Sequence, residues 1–180
     1  MALAATNCQP INFKKLPGHL QFINGETWVD SSIFNSKAQN KQQKIVIDGA
    51  HTQKSVQFVV DNCRLESCNL IFGQTKPRDF VQFLKQIEEK ISVKKVFVLK
   101  GSGGFDLRHE YSPSARDEEI SQNVYQYLLE EGYNAEIIGI DGVKDVLKEK
   151  EDVLVIGSTH SAGVVLRVLE TEGKLREVGE

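Results

Sequence analysis

Four short runs of apolar, mostly β-branched residues recur along this chain, and each ends in glycine, hydroxyl, amide, basic, acidic or imidazole residues. Lys44-Ile45-Val46-Ile47 leads into Asp48-Gly49-Ala50-His51, and Asn69-Leu70-Ile71-Phe72 into Gly73-Gln74-Thr75. Val96-Phe97-Val98-Leu99 leads into Lys100-Gly101-Ser102-Gly103-Gly104, and Val153-Leu154-Val155-Ile156 into Gly157-Ser158-Thr159-His160. Hydrophobicity that is continuous rather than alternating belongs to strands covered on both faces, hence to a parallel sheet. Open sheets of that kind bind ligands beyond the carboxyl ends of their strands. The four loops are therefore expected to converge on one edge.

Between the runs the period changes from strand to helix. Val56, Val59, Val60 and Cys63 keep helical spacing, as do Phe80, Phe83, Leu84, Ile87 and Ile91, and again Ile120, Val124, Tyr127 and Leu128. Gly132 is the expected C-cap of a helix over 114–131, followed by a strand over 135–140, a short helix over 143–147 and a last helix over 161–172. Near the amino terminus, 19–23 and 26–29 flank Asn24-Gly25, the pair that best fits a type I′ hairpin turn. Residues 31–43 are polar and read as a solvated loop. The expected fold class is α/β: a right-handed, doubly wound, mostly parallel sheet with an antiparallel amino-terminal hairpin.

A chain of 180 residues with 40% hydrophobic content can bury a core without cross-links, so one soluble domain is expected. A net charge of −3 provides no footprint for nucleic acid or an anionic membrane. No run approaches the ~20 apolar residues of a membrane span, and a secretory leader is not evident. Cys8, Cys63 and Cys68 are odd in number and lack metal-ligand spacing, which points to reduced thiols in a cytosol-like compartment. Met1 to Asn7 and Pro10 read as the end of a preceding helix and its linker, so residues 1–15 are assigned to a linker or the tail of another domain.

Asp48 and His51 bracket Gly49-Ala50, whose small side chains let a ligand approach the backbone at a helix amino terminus. An acid there suits a ribose diol; the simpler reading is that Asp48 caps the helix and His51 packs or faces water. Gly157-Ser158-Thr159-His160 repeats the design, with hydroxyls that cap the helix or bind a carboxylate, capping alone being the better account of Thr159. Lys76 and Arg78 read as solvated cations beside a helix start, with Asp79 in its first turn. Gly101-Ser102-Gly103-Gly104 lacks the following Lys-Ser or Lys-Thr of a phosphate loop, and neither G-x-x-x-x-G-K-[ST] nor a strand-following G-x-G-x-x-G occurs. No metal site is read from His19, His51, His109 and His160.

Taken in order, Leu16-Pro17-Gly18-His19-Leu20-Gln21, Ile47-Asp48-Gly49-Ala50-His51-Thr52, Lys76-Pro77-Arg78-Asp79 and Val155-Ile156-Gly157-Ser158-Thr159-His160 resemble the carboxy-terminal domain of folylpolyglutamate synthases, a branch of the Mur ligases. The resemblance runs from about 16 to 169 and implies a Rossmann-like glutamate-ligase domain over 16–175. It implies an enzyme that phosphorylates the γ-carboxyl of a folate with ATP and Mg2+, then lets the amine of L-glutamate attack the acyl phosphate. The phosphate loop, magnesium ligands and most of the folate site are then expected on an amino-terminal ATPase domain of the same protein. This domain alone is then expected to be inactive. Carried over by residue, Asp48 contacts the ATP ribose, His51 lines the cleft near glutamate as the catalytic candidate, and Ser158 helps bind glutamate. His19 stands at the nucleotide where the family has arginine. Imidazole does not replace a permanently charged fork, a loss worth roughly 1.5–3 kcal/mol. Dihydrofolate synthase shares these motifs, and a diverged module that binds nucleotide weakly or docks a protein is the non-catalytic alternative. A cytoplasmic location is expected, or mitochondria for the full-length protein.

Overall fold

The computed structural model describes residues 43–76, 79–100 and 115–171. The expected hairpin, residues 31–42, His19, Pro77, Arg78, the 101–104 loop and His109 lie outside these residues.

Strand and helix alternate as the period changes demand: β1 (Ile45–Ile47), α1 (Gln53–Asn62), β2 (Ser67–Phe72), α2 (Phe80–Glu88), β3 (Ser92–Leu99), α3 (Ala115–Glu130), β4 (Ala135–Ile138), α4 (Ile140–Val146), β5 (Val153–Ile156) and α5 (Thr159–Thr171). The strands form one sheet in the order β1-β5-β2-β3-β4, every pairing parallel. The last strand in sequence therefore inserts between the first two, pairing Val155 with both Ile47 and Ile71.

The continuous apolar runs are explained by a core on each face. Val46, Leu70, Phe72, Val96, Val98, Leu154 and Ile156 pack with Val56, Val59 and Val60 of α1, Phe83, Leu84 and Ile87 of α2, and Val124 and Leu128 of α3. The alternate residues Ile45, Ile47, Ile71, Phe97, Val153 and Val155 pack with Val143 and Val146 of α4 and with Val164, Val165 and Val168 of α5. All four residues of β5 are fully buried, and truncating such a side chain to alanine typically costs about 2–5 kcal/mol.

Crossovers that move one way along the sheet lay α1, α2 and α3 on one face, and the return from β4 to β5 lays α4 on the other. A uniform crossover hand requires this arrangement. Its consequence is functional. The helices that leave β1 and β2 lie on the face opposite to the helix that leaves β5, so topological switch points flank β5 on both sides. Crevices at such points are where doubly wound sheets hold ligands.

The opposite, amino-terminal edge is fastened by polar side chains. Lys44 N–H donates to Asp152 Oδ1 at 2.9 Å, and Gln43 Nε2 donates to the Glu151 carbonyl at 2.8 Å. Asn69 Nδ2 donates to Glu149 Oε2 at 2.6 Å. Gln43 is therefore buried, a correction to the solvated loop expected over 31–43: its amide is needed to tie β1 to the turn before β5.

Gly132 adopts φ +81° after α3, as expected of a C-cap. The 135–140 strand is shorter than its apolar run. Gly139 takes an extended N-cap conformation and Ile140 opens α4, its side chain partly buried against the α4 and α5 core. Cys63 and Cys68 are buried free thiols, and burial pushes Cys68 up to about 12, so both act as packing residues. Among the described residues no helix is long and apolar enough to cross a membrane.

Candidate functional site

The three loops that leave β1, β5 and β2 are sutured by backbone contacts. Asp48 N–H donates to the Val155 carbonyl at 3.0 Å, Gly157 N–H to the Ala50 carbonyl at 2.9 Å and Gly73 N–H to the Ile156 carbonyl at 3.3 Å. Glycines permit the approach. A Cβ on Gly49 would lie 2.6 Å from Thr159 Cγ2, and one on Gly157, at φ +112°, would lie 2.5 Å from the Gly73 carbonyl oxygen. The loops carrying Asp48, His51 and Ser158 thus share one rim at the β1/β5 switch point, with Gly73 and Gln74 on the far side of β5.

Asp48 is not the cap of α1. Its Oδ1 accepts the Ala50 N–H at 2.7 Å, a turn within the loop, while Thr52 caps the helix in a reciprocal box with Ser55, an arrangement worth ~1 kcal/mol. The simpler reading of this acid is thereby corrected: helix initiation does not need it. Its carboxylate is half-buried, and desolvation raises its pKa above the ordinary 3.8, against the lowering effects of the Ala50 N–H and His51. A raised acid binds its proton more tightly when folded, so its favourable contribution is present below the unfolded pKa and is lost as pH rises through the folded value. At pH 7 the ionised Asp48 therefore costs stability. Asp48→Asn keeps an acceptor for Ala50 and is expected to unfold at higher urea than wild type at pH 7, with the difference closing below about pH 4. Urea titrations at the two pH values check this, and an equal offset at both would refute it.

His51 is half-buried beside it. Its Nδ1 lies 2.8 Å from the Gly49 carbonyl, and its backbone N–H donates to Ser55 Oγ at 3.2 Å. A carbonyl only accepts, so Nδ1 carries the proton in that bond and Nε2 is the acceptor of the neutral ring. The bond locks the ring against its own loop, which holds an imidazole at a fixed place on the rim.

At β5 the cap of α5 is Ser158, not Thr159. Ser158 Oγ accepts the Ser161 N–H at 3.0 Å and pairs with Ser161 Oγ at 2.7 Å, both residues being buried. Thr159 instead packs its methyl against Gly49. The Ser158 hydroxyl is thus engaged in holding the helix start. Ser161 was missed in the sequence, although a hydroxyl three residues after a candidate cap is a capping spacing. Asp79 likewise stands one position before the first turn of α2 and accepts the Gln82 N–H at 3.1 Å. Lys76 is exposed.

Gln74 was overlooked as an individual residue. It is only 5% exposed and its Oε1 has no hydrogen-bond partner among the described residues. An amide oxygen left so costs about 1–3 kcal/mol. No local sequence signal distinguishes it from a surface glutamine.

Further along the same edge, a hollow of about 570 Å³ is lined by Lys100, Glu118, Glu119, Ser121, Gln122 and Ile137. Lys100 is already paired with Glu118 at 3.1 Å. Among the described residues no group of three His, Cys, Asp or Glu side chains is placed to hold a metal ion.

No protein-family model and no curated protein matches the sequence. Solved structures resemble its fold. The chain is similar to folylpolyglutamate synthase from Thermotoga maritima, with a TM-score of 0.48 and 17% identity over 78% of this chain and 30% of that one. It is also similar to the bifunctional folylpolyglutamate synthase/dihydrofolate synthase from Yersinia pestis, with a TM-score of 0.48 and 14% identity over 74% of this chain and 30% of that one. A ligand-free structure of the Yersinia enzyme gives 0.45 and 15% over 76% and 31%. The chain spans less than a third of the length of these proteins.

Proposed function

We propose that this chain is the carboxy-terminal domain of an ATP-dependent acid–amino-acid ligase of the folylpolyglutamate synthase type. The supporting observation is the suture of the Asp48–His51 and Gly157–His160 loops at the β1/β5 switch point, together with the motif order that resembles that family.

The rim fits one end of a nucleotide. Asp48 is half-buried and accepts one backbone N–H through Oδ1. A carboxylate has acceptor capacity for two further hydroxyls, which matches a ribose diol. In the proposed reaction ATP transfers its γ-phosphoryl group to the terminal carboxylate of a folate, and the glutamate amine then attacks the acyl carbon and displaces phosphate. This chain's part is to bind and exclude water. Asp48 holds the ribose, His51 lines the cleft near the incoming glutamate, and the α5 start capped by Ser158 forms the wall between them. Magnesium, the phosphate loop and most of the folate site belong to an amino-terminal ATPase domain, whose closure on this rim places the amine beside the acyl phosphate. Dihydrofolate synthase chemistry would use the same rim, since folate choice rests with the other domain.

His19, in the place of an arginine that would meet an ATP phosphate, favours a second reading as a diverged, non-catalytic module. One experiment separates them. The 180-residue chain alone is expected to show no ATP-, folate- and glutamate-dependent ligation. Joined behind the ATPase domain of a folylpolyglutamate synthase it is expected to ligate, and faster with His19→Arg. No ligation by either joined form would reject the enzyme reading.

A further inference from the structure

We propose that Gln74, buried in the β2–α2 loop across β5 from Asp48, is a specificity-determining residue whose side-chain oxygen accepts a hydrogen bond from the ammonium group of the incoming amino acid. This rests on the ligase reading above.

Buried amide oxygens in folded proteins are paired, and an unpaired one calls for a ligand or a water. Gln74 Oε1 is such an atom: the residue is only 5% exposed and this oxygen is buried without a partner among the described residues. Its place is not arbitrary. The preceding Gly73 donates its N–H to the Ile156 carbonyl and presents its own carbonyl to Gly157, so Gln74 stands next to the second switch point. Neighbouring parallel strands are ~4.8 Å apart. With β5 between them, the β1 and β2 loops stand roughly 10 Å apart, enough to seat a ribose at one and an amine nucleophile at the other. An amide oxygen accepts and repels other acceptors, so it selects for an ammonium and against a carboxylate. It is also neutral, and so leaves the amine free to lose its proton before attack.

The test is a titration of the 15N-labelled 180-residue chain with L-glutamate and, separately, with glutarate, which has both carboxylates and no amine. L-glutamate is expected to shift the Gln74 side-chain amide and the 73–75 backbone signals, and glutarate to leave them in place. Gln74→Leu is expected to weaken glutamate binding about tenfold while unfolding at the same or higher urea, because it removes an unpaired buried polar atom. Shifts caused equally by glutarate, or a Gln74→Leu variant that binds glutamate normally, would overturn the assignment. A parallel titration with ATP separates the two levels. ATP shifts at 48–51 without a glutamate response at Gln74 overturn this inference alone. Silence toward both ligands overturns the ligase reading and this inference with it.

Discussion

Gly157→Ala is expected to lower the unfolding free energy by about 2–6 kcal/mol, adding the ~1–3 kcal/mol of a residue held at a φ side chains rarely adopt to the ~1–3 kcal/mol of an overpacked contact. At φ +112° the backbone of Gly157 lies where side chains rarely go, and a Cβ there would stand 2.5 Å from the Gly73 carbonyl oxygen and 2.9 Å from Phe72 Cε2. A carbonyl at the end of a central strand has no room to retreat. Two of the three sutures to β5 end at this residue or its neighbour: Gly157 N–H on the Ala50 carbonyl and Gly73 N–H on the Ile156 carbonyl. The substitution therefore damages the rim and the fold together. Urea unfolding monitored by circular dichroism reads the stability. A loss below 1 kcal/mol would show that the loops are not held as tightly as the contacts indicate. Gly132→Ala is the natural comparison: it shares a positive φ, of +81°, but a Cβ there meets nothing within 4 Å, so only the backbone cost remains.

The second large effect concerns ligand binding. In the joined ligase, Asp48→Ala is expected to raise the KM for ATP about tenfold to a hundredfold, since hydrogen bonds to a charged acceptor contribute ~1.5–3 kcal/mol. The KM for glutamate should change little. The same side chain costs stability at pH 7 because burial raises its pKa, and no helix cap depends on it. A half-buried acid that weakens the fold and caps no helix, at a switch point of the sheet, is expected to act on a ligand. Steady-state kinetics with ATP varied at saturating folate and glutamate check the prediction. A KM for ATP within twofold of wild type would remove Asp48 from the nucleotide site.

The sheet was legible because its signal is redundant. Val153-Leu154-Val155-Ile156 is apolar at all four positions, which only a strand buried on both faces explains, and all four are buried. That the described loops after β1, β2 and β5 meet at one edge followed from parallel pairing. The order of the strands was not legible. Nothing local in β5 announces that it inserts between β1 and β2, yet that insertion creates the crevices beside Asp48 and Gln74. Element ends were read less well where one apolar residue suits either state, as Ile140 does. Caps were misassigned for a related reason. Thr52, Ser158 and Asp79 compete with neighbouring hydroxyls and acids for the cap position, and the choice is made by where the preceding strand stops. A buried, unpaired glutamine leaves no trace in sequence at all, because the loop that carries it is held through Gly73 by residues more than eighty positions away, at Ile156 and Gly157.

The account stands on the β1/β5 rim being a nucleotide site. A titration of the 15N-labelled chain with ATP, for wild type and Asp48→Ala, tests that directly. The predicted result is a joint shift of 48–51 and 157–160, with affinity falling about tenfold or more in the variant. Shifts confined to the Lys100 and Glu118 end of the edge, or equal affinity for the two proteins, would contradict it.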